Sequence, residues 1–90
     1  MIRVIIHDPL SGTKTPAVVP ENSPMRSLVP ELAKRLGKPL TDPRGNRISY
    51  MMQKNEKGLG IRLLGPGDTL SSAGVAEDAE LTLTYRIIPG

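Results

Sequence analysis

His7 is the only histidine of the chain, and Asp8 follows it directly. A histidine beside a carboxylate can do general acid–base chemistry if both side chains reach one reacting atom. In "MIRVIIHD", however, Ile2, Val4 and Ile6 alternate with Arg3, Ile5 and His7, the period of a half-buried strand. Neighbours on a strand point to opposite faces. His7 and Asp8 therefore make a poor dyad, and no other residue completes a nucleophile, base and orienter set. The nine carboxylates are scattered without metal-ligand spacing. The "GLG" and "GPG" glycines precede no Lys-Ser/Thr pair, so no phosphate loop is present. The absence of cysteine removes thiolate nucleophiles, Cys-type zinc sites and disulfide staples together. The expectation is a protein that is not an enzyme and has neither a cofactor nor a metal.

Two other groups could act on a partner. Lys34, Arg35 and Lys38 form a small basic patch at a helix end, without an aromatic stacking platform. Complementing a helix C-terminus explains these cations, and nucleic-acid binding is not expected. The second group is at the close, "LTLTYRIIPG", an alternating apolar run followed by Pro89 and Gly90. Either this tail is slack, or the terminal carboxylate of Gly90 is itself the functional group.

These residues must be positioned by a small scaffold. Ninety residues make one domain, 1–90, here with a short C-terminal tail at 86–90. Two tyrosines and no Phe or Trp leave an aliphatic core. The net charge of +3 favours solubility. Apolar stretches such as Val4 to Ile6 are too short for a membrane span or a signal segment, so a cytoplasmic monomer without membrane insertion is expected.

"PLSGT", with Gly12, reads as the turn of a hairpin whose second strand runs from Thr13 to Val19. Met25, Leu28, Val29, Leu32, Ala33 and Leu36 then form the stripe of one amphipathic helix. The spacing predicts Ser23 as N-cap, Pro24 at the first helical position, and a stop at Gly37 and Pro39. Pro30 lies inside the stripe, so a kinked or loosened helix is expected there. Arg47 to Lys54 and Ile61 to Leu64 read as two strands around a polar tip, and one helical turn is expected near Leu70 to Ala73. Glu80 to Ile88 closes the chain as a strand with Leu81, Leu83, Tyr85 and Ile87 on one face. One helix with four or five strands gives an α+β domain, a mixed sheet covered on one face. A hairpin, then a helix, then a long last strand suggests that the first and last strands lie side by side, parallel and central. That arrangement is the β-grasp.

The chain resembles ubiquitin-like proteins over nearly its whole length. "GDTLSSAGVAEDAELTLTYRIIPG" is similar to the end of ubiquitin, where a Thr-Leu pair opens a turn before a strand of alternating leucines, an arginine and a glycine tip. In that register Thr69 and Leu70 match the pair, Leu81 and Leu83 the strand leucines, Arg86 the arginine and Gly90 the reactive glycine. Leu10, Ser11 and Gly12 resemble the tip of ubiquitin's first hairpin. "LVPELAKRLG" and "TLSSAGVAEDAEL" resemble the bacterial YukD/EsaB-type branch, including the ubiquitin-like domain of some type VII secretion components.

The resemblance implies a ubiquitin-like protein modifier, adenylated and conjugated to targets through Gly90 by activating and conjugating enzymes. It implies a role for Arg86 in recognition of the tail. It also implies a protein-binding surface of Leu10, Met51 (or Met52) and Thr84, the last standing where ubiquitin carries a valine. Pro89 stands in place of ubiquitin's penultimate glycine, fixing φ and removing a donor, which disfavours a sulfur carrier. The alternative reading is a non-covalent adaptor, for example an accessory module of a type VII secretion system.

Overall fold

A computed structural model describes residues 1–56 and 58–89. Five strands and one helix follow in the order β1 (Ile2–Asp8), β2 (Thr13–Val19), α1 (Met25–Arg35), β3 (Arg47–Glu56), β4 (Gly60–Leu63) and β5 (Glu80–Ile88). They form one mixed sheet in the order β2-β1-β5-β3-β4. β1 and β5 are parallel, with Ile6 opposite Leu81, while every other pairing is antiparallel. The first and last strands are therefore adjacent and internal, as the order of elements suggested.

The alternation of each strand decides which side is buried. Ile2, Val4 and Ile6 of β1, Met52 of β3 and Leu81 and Leu83 of β5 pack with Met25, Leu28, Val29 and Leu32 of the helix in one core. Leu64, Leu70, Ala73 and Val75 of the β4–β5 connection close the same core. A single aliphatic layer between sheet and helix suits a chain with no Phe or Trp.

The helix ends show which signals were local. Its N-cap is Pro24, and no side chain caps it, so Ser23 does not have the capping role expected. The 65–68 turn does this work instead: the Met25 and Arg26 N–H groups donate to the carbonyls of Asp68 (2.8 Å) and Pro66 (3.0 Å). Ser27 and Leu28 donate to Pro24. Pro24 has no N–H, so the orphan donors are those of Met25, Arg26 and Ser27; all three are satisfied, two of them by distant backbone, and the Leu28 bond begins the regular ladder. The C-terminus follows local rules. Gly37 takes φ +70°, its N–H donates to Lys34, and the Lys38 N–H reaches back to Ala33. Those two bonds define a Schellman motif. Between its ends the helix runs unbroken through Pro30.

β3 extends two residues past the expected Lys54, because Asn55 and Glu56 pair with Ile61 and Gly60. Backbone pairing carries the strand into a polar tip that side-chain periodicity marks as loop. The expected turn near Leu70 is present: the Ala73 N–H donates to Thr69, and Thr69 and Ser72 exchange N–H to hydroxyl bonds at 2.9 Å each.

Candidate functional site

β3 and β5 pair over eight residues, from Arg47–Ile88 to Lys54–Leu81. Such a ladder is about 26 Å long, whereas an 11-residue helix spans about 16 Å. The helix therefore cannot cover the whole apolar face of the ladder. Leu81 and Leu83 are buried beneath it, while Tyr85 and Ile87, on the same face, are each 44% exposed.

Around this uncovered end lies a groove of about 600 Å³. Tyr85 and Ile87 form its floor with their register partners Tyr50 and Ile48. Leu10 of the β1–β2 turn and Pro39 and Pro43 of the loop after the helix form its walls. The Tyr50 and Tyr85 rings lie 6.5 Å apart in a tilted arrangement, within the favourable range for aromatic pairs. The Tyr50 hydroxyl donates to the Pro39 carbonyl, tying the loop to the sheet. Burial pushes the Tyr50 phenol above its ordinary pKa, so it stays protonated and able to donate.

The inner wall of the groove is held by Asp8, the one buried charged residue among those described. Its carboxylate accepts from Lys38, from the Ser11 hydroxyl (3.0 Å) and from the Leu10 N–H (3.0 Å). One side chain thus fixes both the hairpin tip that carries Leu10 and the segment that leads to Pro39. Lys38 is drawn inward by this pair and is not part of a free basic patch. Arg35 is engaged too, with Glu31 (3.9 Å) and with the Val18 carbonyl (3.2 Å). His7 points away from Asp8, its Nδ1 3.8 Å from Glu80.

The Asp8 carboxyl is held below the usual carboxylate range by the Lys38 hydrogen bond, against the upward push of burial. In Asp42, burial pushes upward, but hydrogen bonds from Asn46, Arg44 and Gly45 bring the pKa below its ordinary value. The Asp78 carboxyl is held down by its hydrogen bond from Arg3. A carboxylate depressed in the folded state adds stability above its unfolded pKa, about 3.9, and this is lost as pH falls through the folded value. Urea midpoints are therefore expected to be independent of pH near neutrality, where these three contributions are fully present, and to decrease below about pH 4. Asp8→Asn should make the acid limb shallower and weaken the fold by about 1–3 kcal/mol at pH 7, since it leaves the Lys38 ammonium without its anion.

The surface expected from sequence is distributed differently. Met51 and Thr84 are register partners on the face of the sheet away from the helix. The Thr84 hydroxyl is buried without a hydrogen-bond partner. Met51 and Arg86 border a second depression, with Pro30, Leu63 and Pro66. Leu10, 74% exposed, belongs to the groove and is not grouped with Met51 and Thr84. Pro89 is exposed beyond the last β5 residue, and Gly90 lies outside the described residues. Sequence reasoning did not single out Ile48, Tyr50, Pro39 or Ile87 as site residues. The available signal was a four-residue apolar face on β5 set against a helix too short to cover it.

The strand order, with parallel central β1 and β5 and one helix across the sheet, is that of the ubiquitin-like β-grasp. Among the solved structures it is similar to is the N-terminal ubiquitin-like domain in the 4931431F19Rik protein, determined in solution. The two share 19% identity at a TM-score of 0.70, over 99% of this chain and 78% of the other. No protein-family model matches the chain. No curated protein sequence matches it. Among the described residues no helix is long and apolar enough to cross a membrane.

Proposed function

We propose that this domain is a non-catalytic protein-interaction module that receives an apolar anchor of a partner protein in the groove between β3, β5 and the loop after the helix. The observation that carries this reading is the exposure of Tyr85 and Ile87 on an otherwise buried face, inside a walled groove. Apolar pockets with a few fixed polar groups are the usual form of a binding site, and exposed aromatic and aliphatic clusters are the usual anchors of interfaces. An adaptor or secretion accessory role is one setting for such a module.

The test is a photo-crosslinking amino acid placed at Leu10, with identification of the partner, followed by affinity measurements on variants. Ile87→Asp is expected to weaken binding roughly ten- to a hundredfold, the loss of one buried aliphatic anchor. The unfolding free energy from urea titration should stay within about 0.5 kcal/mol of the parent's, because Ile87 is exposed. Val18→Asp, on the far edge strand, should bind normally. Equal affinity for all three proteins contradicts the reading.

A second reading, conjugation through Gly90, is favoured by the exposure of Pro89 past the end of β5. It is constrained by the pairing of Ile88 with Arg47. Two residues extend about 7 Å, so entry to an enzyme channel requires the end of β5 to peel from β3. Incubation with an activating enzyme and ATP, read by intact mass, distinguishes the readings. An adenylate or thioester that disappears on deletion of Gly90 supports conjugation.

A further inference from the structure

The two edges of the sheet are finished differently. The Ile5 N–H donates to Ala79 on the β5 side, so the even-numbered residues of β1 face β2. Their partners on β2 are Thr13, Thr15, Ala17 and Val19, which leaves Lys14, Pro16 and Val18 turned outward. Pro16 has no N–H to offer, Lys14 carries a charge, and the Val18 carbonyl is taken by Arg35. These are the devices that close an edge against further pairing.

β4, at the other edge, is open. The Ile48 N–H and the Met52 carbonyl bond Leu40 and Leu64 on the side away from β5. By the same parity Lys54 and Glu56 face Arg62 and Gly60 of β4. Ile61 and Leu63 therefore turn their own N–H and C=O groups to the open edge. Their side chains lie on the face away from the helix, 69% and 52% exposed, next to Leu59 at 81%. The single charge in β4, Arg62, is on the opposite face and is held by Glu56 (3.4 Å) and Asp68 (3.8 Å).

We propose that β4 is a self-association edge: a second copy of this chain pairs its own β4 antiparallel across a two-fold axis at Ile61, joining two sheets into one. The strand is self-complementary in that register. Ile61 faces Ile61 of the second copy, and the two exchange both backbone hydrogen bonds. Leu63 comes opposite Leu59 of the second copy, so six exposed apolar side chains meet on one face. On the other face Arg62 comes opposite Gly60, which has no side chain. Beyond it, two strand spacings or about 10 Å from Arg62, stands Glu56 of the second copy, within reach of an arginine. Sliding the pairing by two residues would set Arg62 against Arg62 and line up four cations with the two Lys54 residues. Charge therefore selects the first register, and it favours a second copy over an arbitrary strand. A four-residue edge falls short of the roughly 1,200 Å² of a stable interface, so the dimer is weak and forms at high concentration. This replaces the monomer expected from sequence with a concentration-dependent equilibrium.

The test is sedimentation velocity of the full chain from about 10 µM to about 1 mM, with amide exchange of Ile61 followed by NMR. The expected result is a monomer-to-dimer shift accompanied by slower exchange at Ile61, whose N–H has no partner in the monomer's own ladder. Ile61→Pro removes that outward donor and should weaken the dimer roughly tenfold or more. Ile61→Lys, which leaves the backbone unchanged, should do the same if the proline variant fails to fold. Arg62→Glu should weaken the dimer, and adding Glu56→Arg should restore it. A monomer throughout, a dimer indifferent to both Ile61 variants, or a charge exchange that restores nothing overturns the proposal. So does a protein that stays monomeric while β4 resonances shift only with an added extended apolar peptide.

Discussion

Leu70→Ala is expected to destabilise the domain by about 2–5 kcal/mol, the range for emptying a fully buried leucine site. A domain of this size carries roughly 5–13 kcal/mol in total, so this loss is a substantial fraction of its stability. Leu70 lies in no helix or strand, yet it is completely buried in the core, packed with the helix and sheet. The backbone around it is pinned. Its carbonyl accepts from Val75, the Ser71 N–H donates to Glu21, and Thr69 and Ser72 clasp each other. Such a loop cannot collapse readily into the space left by the three lost heavy atoms, Cγ and the two Cδ, which places the expected loss in the upper part of the range. Urea unfolding monitored by far-UV circular dichroism checks it. The control is Leu40→Ala in the loop after the helix, where Leu40 is exposed and the expected change is within about 0.5 kcal/mol.

The contrast between Leu70 and Leu40 shows what was legible in the sequence. The strands β1, β2 and β5 and the helix announce themselves by period, and the parallel β1–β5 pairing follows from the order of elements. Leu70 was marked by its resemblance to a Thr-Leu pair, not by any periodicity, since a lone leucine among Ser, Gly and Thr carries none. The helix start was misplaced for a similar reason. Ser23 offers the local chemistry of a cap, but the carbonyls of Pro66 and Asp68 reach the first two N–H groups from forty residues away, and local sequence holds no trace of them.

The groove was half legible. The alternation of Leu81, Leu83, Tyr85 and Ile87 defines a single apolar face, and counting residues gives a helix shorter than the ladder beneath it. What the sequence does not disclose is where along β5 the helix lies, because that depends on packing between distant elements. The Asp8–Lys38 pair joins residues thirty apart, and each has a sufficient local explanation, Asp8 as a turn residue and Lys38 as a cation near a helix end. Only the fold puts them together. The open β4 edge was hidden for a third reason: which backbone groups point outward depends on pairing parity, which side-chain patterns do not encode for a strand exposed throughout.

Pro30→Ala is expected to stabilise the domain by about 2 kcal/mol. Proline inside a helix costs about 3 kcal/mol, through the missing N–H and the clash of its ring with the carbonyl one turn earlier. Here that carbonyl belongs to Arg26, the second residue of the helix, which regains its partner once residue 30 carries an N–H. Against this gain, alanine frees the unfolded chain that proline restricts, worth about 0.4–1 kcal/mol in the opposite sense. The side chain of residue 30 is exposed, so no core contact is lost. The net gain should raise the melting temperature by roughly 8–16 °C for a domain of this size, which differential scanning calorimetry measures directly. The same substitution trims one wall of the depression that Pro30 shares with Met51 and Arg86. A variant that gains stability but loses affinity for a partner would show that this surface is bound and that Pro30 acts there. A variant that gains stability with unchanged affinity would leave the groove around Tyr85 and Ile87 as the surface through which the domain binds. The physical basis for separating the two is that Pro30 and Ile87 lie in different depressions, so each substitution perturbs one surface and leaves the other intact.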